Sequence, residues 1–67
     1  MSREILKGRE IIIELRPVGA VVRVSAMDTA TLTEAVIQGP ASAGETVLKQ
    51  NAIKRLEYVM KKKGLIS

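Results

Sequence analysis

The chain has 67 residues, a net charge of +4, and no cysteine, histidine, tryptophan or phenylalanine. These absences exclude a disulfide framework and thiolate or imidazole metal sites, and they remove the commonest general acid–base group. The length allows one small domain, and an apolar fraction of 46% beside a charged fraction of 27% belongs to a folded chain rather than a disordered one.

Residues 1–7 are short and polar and are expected to fray, with Ile5 and Leu6 covering an edge of the core at most. Residues 9–16 then alternate. Ile11, Ile13 and Leu15 fall on one side, and Glu10, Ile12, Glu14 and Arg16 on the other, the period of a half-buried strand. Pro17-Val18-Gly19 reads as a turn. Residues 20–27 alternate again, with Val22, Val24 and Ala26 inward and Val21, Arg23, Ser25 and Met27 outward. Asp28-Thr29-Ala30 is the next turn, where the Asp28 side chain can bond to nearby backbone. A third strand is predicted over 31–38, with Thr33, Ala35 and Ile37 inward and Val36 outward. Gly39-Pro40 ends it.

Ser42-Ala43-Gly44-Glu45 fits the S-x-x-E capping box and predicts a helix over 43–63. Leu48, Ala52, Leu56, Val59 and Met60 make its apolar stripe. Lys61-Lys62-Lys63 followed by Gly64 makes a basic last turn with a glycine stop. The expected fold is therefore α+β: a three-stranded antiparallel meander (9–16, 20–27, 31–38) with one long C-terminal helix packed on one face, as a single domain over 1–67. A helix of about 20 residues spans roughly 30 Å and strands of this length about 25 Å, so the helix is long enough to cover the sheet.

Neither a secretory leader nor a membrane span is evident, since the longest apolar runs are Ile11-Ile12-Ile13 and Ala20-Val21-Val22. A native start and a cytoplasmic location are expected. Residues 1–40 carry no net charge, so the whole excess lies in the last third, on Lys49, Lys54, Arg55, Lys61, Lys62 and Lys63 against Glu45 and Glu57.

Enzymatic activity is not expected, and neither is a cofactor or a small-molecule substrate. No nucleophile–base pair and no glycine-rich phosphate loop is present. Glu10 and Glu14 are about 13 Å apart on one strand face, beyond the roughly 5–9.5 Å of paired glycosidase carboxylates, and read as solvated residues paired across the sheet with Arg23. What remains is surface. A domain near 60 residues without disulfide or metal commonly gains support from a second copy, so a homodimer is the first expectation. Ile12, Val21 and Val36, one from each strand on the face away from the helix, are its candidate contact residues. Pairing through the first or third strand's edge is the alternative geometry. The second candidate surface is the helix's outer face, where Lys54, Tyr58, Lys61 and Lys62 gather the only aromatic among lysines. It suits an unidentified protein, an anion or a nucleic acid, with lysines on phosphates and Tyr58 on a base.

Four stretches resemble, in order, the motifs of a family of short uncharacterised alphaproteobacterial proteins. They are Val22-Arg23-Val24-Ser25-Ala26-Met27-Asp28, Thr33-Glu34, Gly39-Pro40-Ala41 and Lys54-Arg55-Leu56-Glu57-Tyr58-Val59-Met60. The similarity spans residues 8–63. It implies a β-β-β-α domain of unknown function with Tyr58 as a landmark of its helix, and it implies no activity. Arg23 stands where the family tends to lysine. Leu32 stands where a turn glycine is common, which shifts the start of the third strand by a residue or two.

Overall fold

The computed structural model describes residues 1–67 and has four strands, not three. The elements are β1 (Ser2–Leu6), β2 (Arg9–Val18), β3 (Val21–Asp28) and β4 (Glu34–Pro40), then a single 3-10 turn (Ala41–Ala43) and α1 (Glu45–Lys62). Each strand pairs antiparallel with the next, so the sheet runs in chain order.

The additional strand is the segment expected to fray. Ser2 pairs with Ile13 and Leu6 with Arg9. Between them Lys7 (φ 52°) and Gly8 (φ 78°) both take positive φ, the backbone of a two-residue type I′ hairpin turn. Little apolar side chain is buried in β1. Its pairing rests on the backbone ladder, which side-chain alternation cannot report.

Strand β2 also runs two residues past its predicted end. The link to β3 is Gly19-Ala20, with Val18 opposite Val21, so Pro17 lies inside the strand. Odd-numbered residues of β2 face β1, and β1 pairs no further along than Ile13. The N–H that Pro17 lacks would therefore meet no neighbour, the one setting in which a strand tolerates proline.

Strand β4 begins three residues later than predicted. Asp28 N–H donates to the Thr33 carbonyl (2.9 Å) and Leu32 N–H to the Asp28 carbonyl (2.8 Å), closing a loop over residues 29–32. Leu32 sits there at φ 61° and is 70% exposed.

The capping box does not form. Ser42 lies in the 3-10 turn, Gly44 occupies the cap position at φ 90°, ψ 150°, and no side chain caps the helix. That backbone conformation is open essentially to glycine alone, and it starts the helix at Glu45 instead of residue 43. The far end follows the expected pattern. Gly64 N–H donates to the Lys61 carbonyl and Leu65 N–H to the Met60 carbonyl, the paired bonds of a Schellman stop.

The predicted inner faces are the buried ones, except that Val59 of the helix stripe is only half-buried and lies outside the core cluster. Ile11, Ile13, Val22, Val24, Ala26 and Ala35 from the sheet meet Leu48, Ala52, Leu56 and Met60 from α1. Thr33 is buried beside them, and Leu15, Ile37 and Ile53 flank the cluster. The helix lies over β3 and β4 and does not cover the whole sheet. Beyond its N-terminal end, Leu15, Pro17 and Val22 line an open groove with Ala41 and Leu48.

A leucine at φ 61° carries a steric penalty that glycine lacks. Leu32→Gly is expected to raise unfolding free energy by about 1 kcal/mol, read as a higher urea midpoint at unchanged slope. A lower midpoint would mean that the exposed Leu32 side chain makes a stabilising contact.

Candidate interaction surfaces

The outer face of the sheet is uncovered, and Ile12, Val21 and Val36 all lie on it, but not together. Ile12 is opposite Met27, Val36 opposite Ser25, and Val21 opposite both Val18 and Pro40. Met27 and Val21 are six residue steps apart along β3, about 20 Å. The apolar group around Ile12 consists instead of Met27 and Ile5, the latter 73% exposed beside Glu10. A charged band crosses the middle of the face. Arg16 is directly opposite Arg23, and with Glu14, Ser25 and Glu34 they line a shallow groove of about 160 Å³. Glu14 accepts from Arg16 in its own strand (3.3 Å) and Glu10 pairs with Arg3 (3.5 Å), so neither reaches Arg23. Arg23 and Glu34 have no ion pair.

Successive helical residues are about 100° apart, which puts Ile53 and Glu57 on one flank of the buried stripe and Asn51, Arg55, Tyr58 and Lys62 on the other. Two contacts orient these flanks. Glu57 reaches Lys7 in the β1–β2 turn (3.3 Å), so its flank looks toward β1 and β2. Leu48 packs directly on Gly39 of β4. The flank bearing Tyr58 therefore overlooks the outer edge of β4. Of the four residues predicted for this surface, Tyr58 and Lys62 are neighbours: the ammonium lies 5.7 Å from the ring centroid. Lys54 is on the crest of the helix, and Lys61 turns to Glu57 (3.8 Å). Sequence reasoning left out Arg55, whose guanidinium lies 5.2 Å from the Tyr58 ring. Its position three residues before Tyr58 was the available signal.

The strongest polar arrangement lies at the end of the sheet near the helix C-terminus; the sequence announces the bond of the Asp28 side chain to nearby backbone, but not its burial or its pairing with Arg9. Asp28 is fully buried. Its Oδ2 accepts from Arg9 Nη1 (3.1 Å), Thr31 N–H (3.1 Å) and Thr31 Oγ1 (2.7 Å), while Oδ1 has no partner. The second arm of Arg9 donates from Nη2 to the Leu65 carbonyl (3.1 Å), and Lys7 Nζ donates to the Ser67 carbonyl (3.0 Å). Burial alone would push the Asp28 carboxyl up. The Thr31 hydrogen bonds and the Arg9 charge outweigh it and hold the group below its ordinary value. No set of three or more acidic side chains is placed to hold a metal ion, and no helix is long and apolar enough to cross a membrane.

A family model for a domain of unknown function, DUF6898, matches residues 8–63. The chain belongs to this family. No curated protein and no solved structure matches it. The matched span begins at Gly8 in the β1–β2 turn and ends at Lys63, so it takes in the three-strand core and the helix but leaves out β1 and the tail that Arg9 and Lys7 hold.

The depressed Asp28 value fixes a pH dependence. Below its unfolded value in the folded state, this carboxylate contributes stability that is fully present above the ordinary value of 3.8 and is lost as pH falls through the folded one. Urea midpoints measured between about pH 2 and pH 6 are expected to fall on the acid side, with a clearly smaller fall in Asp28→Asn. Equal acid sensitivity in the two proteins would show that Asp28 titrates as it does unfolded.

Proposed function

We propose that this chain is a non-enzymatic interaction module that works as a homodimer through the outer face of its sheet. The observation that carries the reading is the combination of a small core and an uncovered face. The core is ten aliphatic residues, three of them alanine, with no aromatic. The outer face has the adjoining Ile5, Ile12 and Met27 near one end, with Glu10 and Glu34, and the unpaired Arg23 beside Arg16 toward the other. A second copy stacked over this end of the face buries the apolar group against its own equivalent, an arrangement compatible with two-fold symmetry. A cytoplasmic location fits a cysteine-free chain that does not depend on disulfides, and the motif resemblance supports an alphaproteobacterial source.

The reading of the basic helix as a nucleic-acid surface has weaker support. Its stacking platform is the Tyr58 ring, and Arg55 and Lys62 already lie against that ring. A base would have to displace both.

Sedimentation velocity at tens of micromolar is expected to give a dimer for the native chain and a monomer for Ile12→Glu, with the helical circular dichroism retained. Met27→Lys should act in the same direction. A native monomer throughout that range, or a dimer indifferent to both substitutions, would refute the outer-face interface.

A further inference from the structure

We infer that the outer edge of β4, together with the cationic flank of α1 above it, binds an extended acidic peptide segment as a fifth strand. This site is the edge of the sheet, adjoining the homodimer face at Glu34 and Val36, and it rests on different groups, the open β4 backbone and the helix flank.

The backbone supplies the first half of the site. Thr33 and Ala41 bond inward to β3 at the two ends of β4, through Asp28 N–H to Thr33 O and Ala41 N–H to Ala20 O. Antiparallel alternation then places Ala35, Ile37 and Gly39 in the bonded pairs. The N–H and C=O groups of Glu34, Val36 and Gln38 are left along the open edge. Natural edges are usually blunted by charge, proline or shortness. The β1 edge has these features: five residues, including Arg3 and Glu4. The β4 edge is seven residues long, with charge and proline only at its two ends, Glu34 and Pro40, and an uncharged centre, Ala35-Val36-Ile37-Gln38. Val36 is 45% exposed there.

The helix supplies the second half and decides the occupant. The flank that overlooks this edge carries Arg55 and Lys62, with Lys54 on the crest beside them. None of these three cations has an ion pair, and the acids of α1, Glu45 and Glu57, pair with Lys49, and with Lys61 and Lys7, respectively. Pairing β4 with β4 of a second copy would align two such flanks and bring Arg55 and Lys62 of both copies together without a counter-charge. Like charges so juxtaposed oppose association. An added strand lies about 4.8 Å beyond β4, and its side chains alternate between the helix side and the outer face. Acidic residues on the helix side meet Arg55 and Lys62. Apolar residues on the other side extend the surface of Val36. The complementary ligand thus alternates acidic and apolar residues, a β-augmentation mode with charge selection.

The test is fluorescence anisotropy on the full chain with a labelled peptide of alternating glutamate and valine, about as long as β4. Saturable binding is expected, weakened about tenfold or more in Arg55→Glu/Lys62→Glu and in Gln38→Pro. Gln38 points its N–H outward, so the proline removes a docking donor while leaving the β3–β4 bonds intact, which circular dichroism checks. N-methylating alternate peptide amides should abolish binding in one phase and spare it in the other. Several results would each overturn the inference: no saturable binding, equal binding of both methylated phases, or equal binding of a lysine–valine peptide. So would tighter binding of oligothymidylate, which would make the flank a nucleic-acid surface instead. Sedimentation of Gln38→Pro separates this site from the dimer, since its oligomeric state should match the native chain.

Discussion

A fully buried carboxylate is the constraint around which this small domain is closed. Taking Asp28 out of water is costly unless donors replace the lost hydration, and Arg9 and Thr31 supply them. The consequence is mechanical. Arg9 opens β2, Asp28 ends β3, Thr31 belongs to the loop before β4, and the second arm of Arg9 holds the carbonyl of Leu65 just past the helix. The Arg9–Asp28 pair thus fastens two strands, a loop and the segment just past the helix. The buried stripe Leu48, Ala52, Leu56 and Met60 sets the rotation of α1 about its own axis, and the contact of Glu57 with Lys7 agrees with it as to the side of the helix that faces outward over β4.

The core accounts for the surfaces that remain. A small aliphatic core under one helix covers the inner faces of β3, β4 and part of β2, and the rest of the sheet stays open. A larger domain would place a second layer on the outer face. Here the face holds a like-charged pair, Arg16 opposite Arg23, with only Arg16 relieved within the chain. Like charges directly across a ladder are destabilising, so their retention in an uncovered sheet fits a surface whose counter-charges arrive from outside.

Alternation made the inner faces legible. Ile11 and Ile13, Val22 with Val24 and Ala26, and Ala35 were readable because a period of two admits one buried set once Glu and Arg mark the other. The helix stripe was readable for the same reason at a period of 3.6. Strand β1 was not, because Ser2–Leu6 is held by backbone pairing and by a turn whose signal, Gly8 after Lys7, is a single residue. The Ser42–Glu45 cap was a false signal, since the right residue types at the right spacing were overruled by the turn after Pro40 and by the conformation of Gly44. The candidate surfaces were half legible. Alternation put Ile12, Val21 and Val36 on one face, but only strand register could show them apart in separate rows. The contact between Arg9 and Asp28 joins residues with an entire hairpin between them, and no local pattern announces it.

A double-mutant cycle on Arg9→Met and Asp28→Asn tests this account most directly, with unfolding free energies of the native chain, both single variants and the double. If the pair closes the fold as described, the two losses will not add, and the coupling energy will lie in the range of about 1–3 kcal/mol found for residues sharing one buried network. A coupling near zero would mean that Arg9 and Asp28 act separately and that their pair does not close the fold.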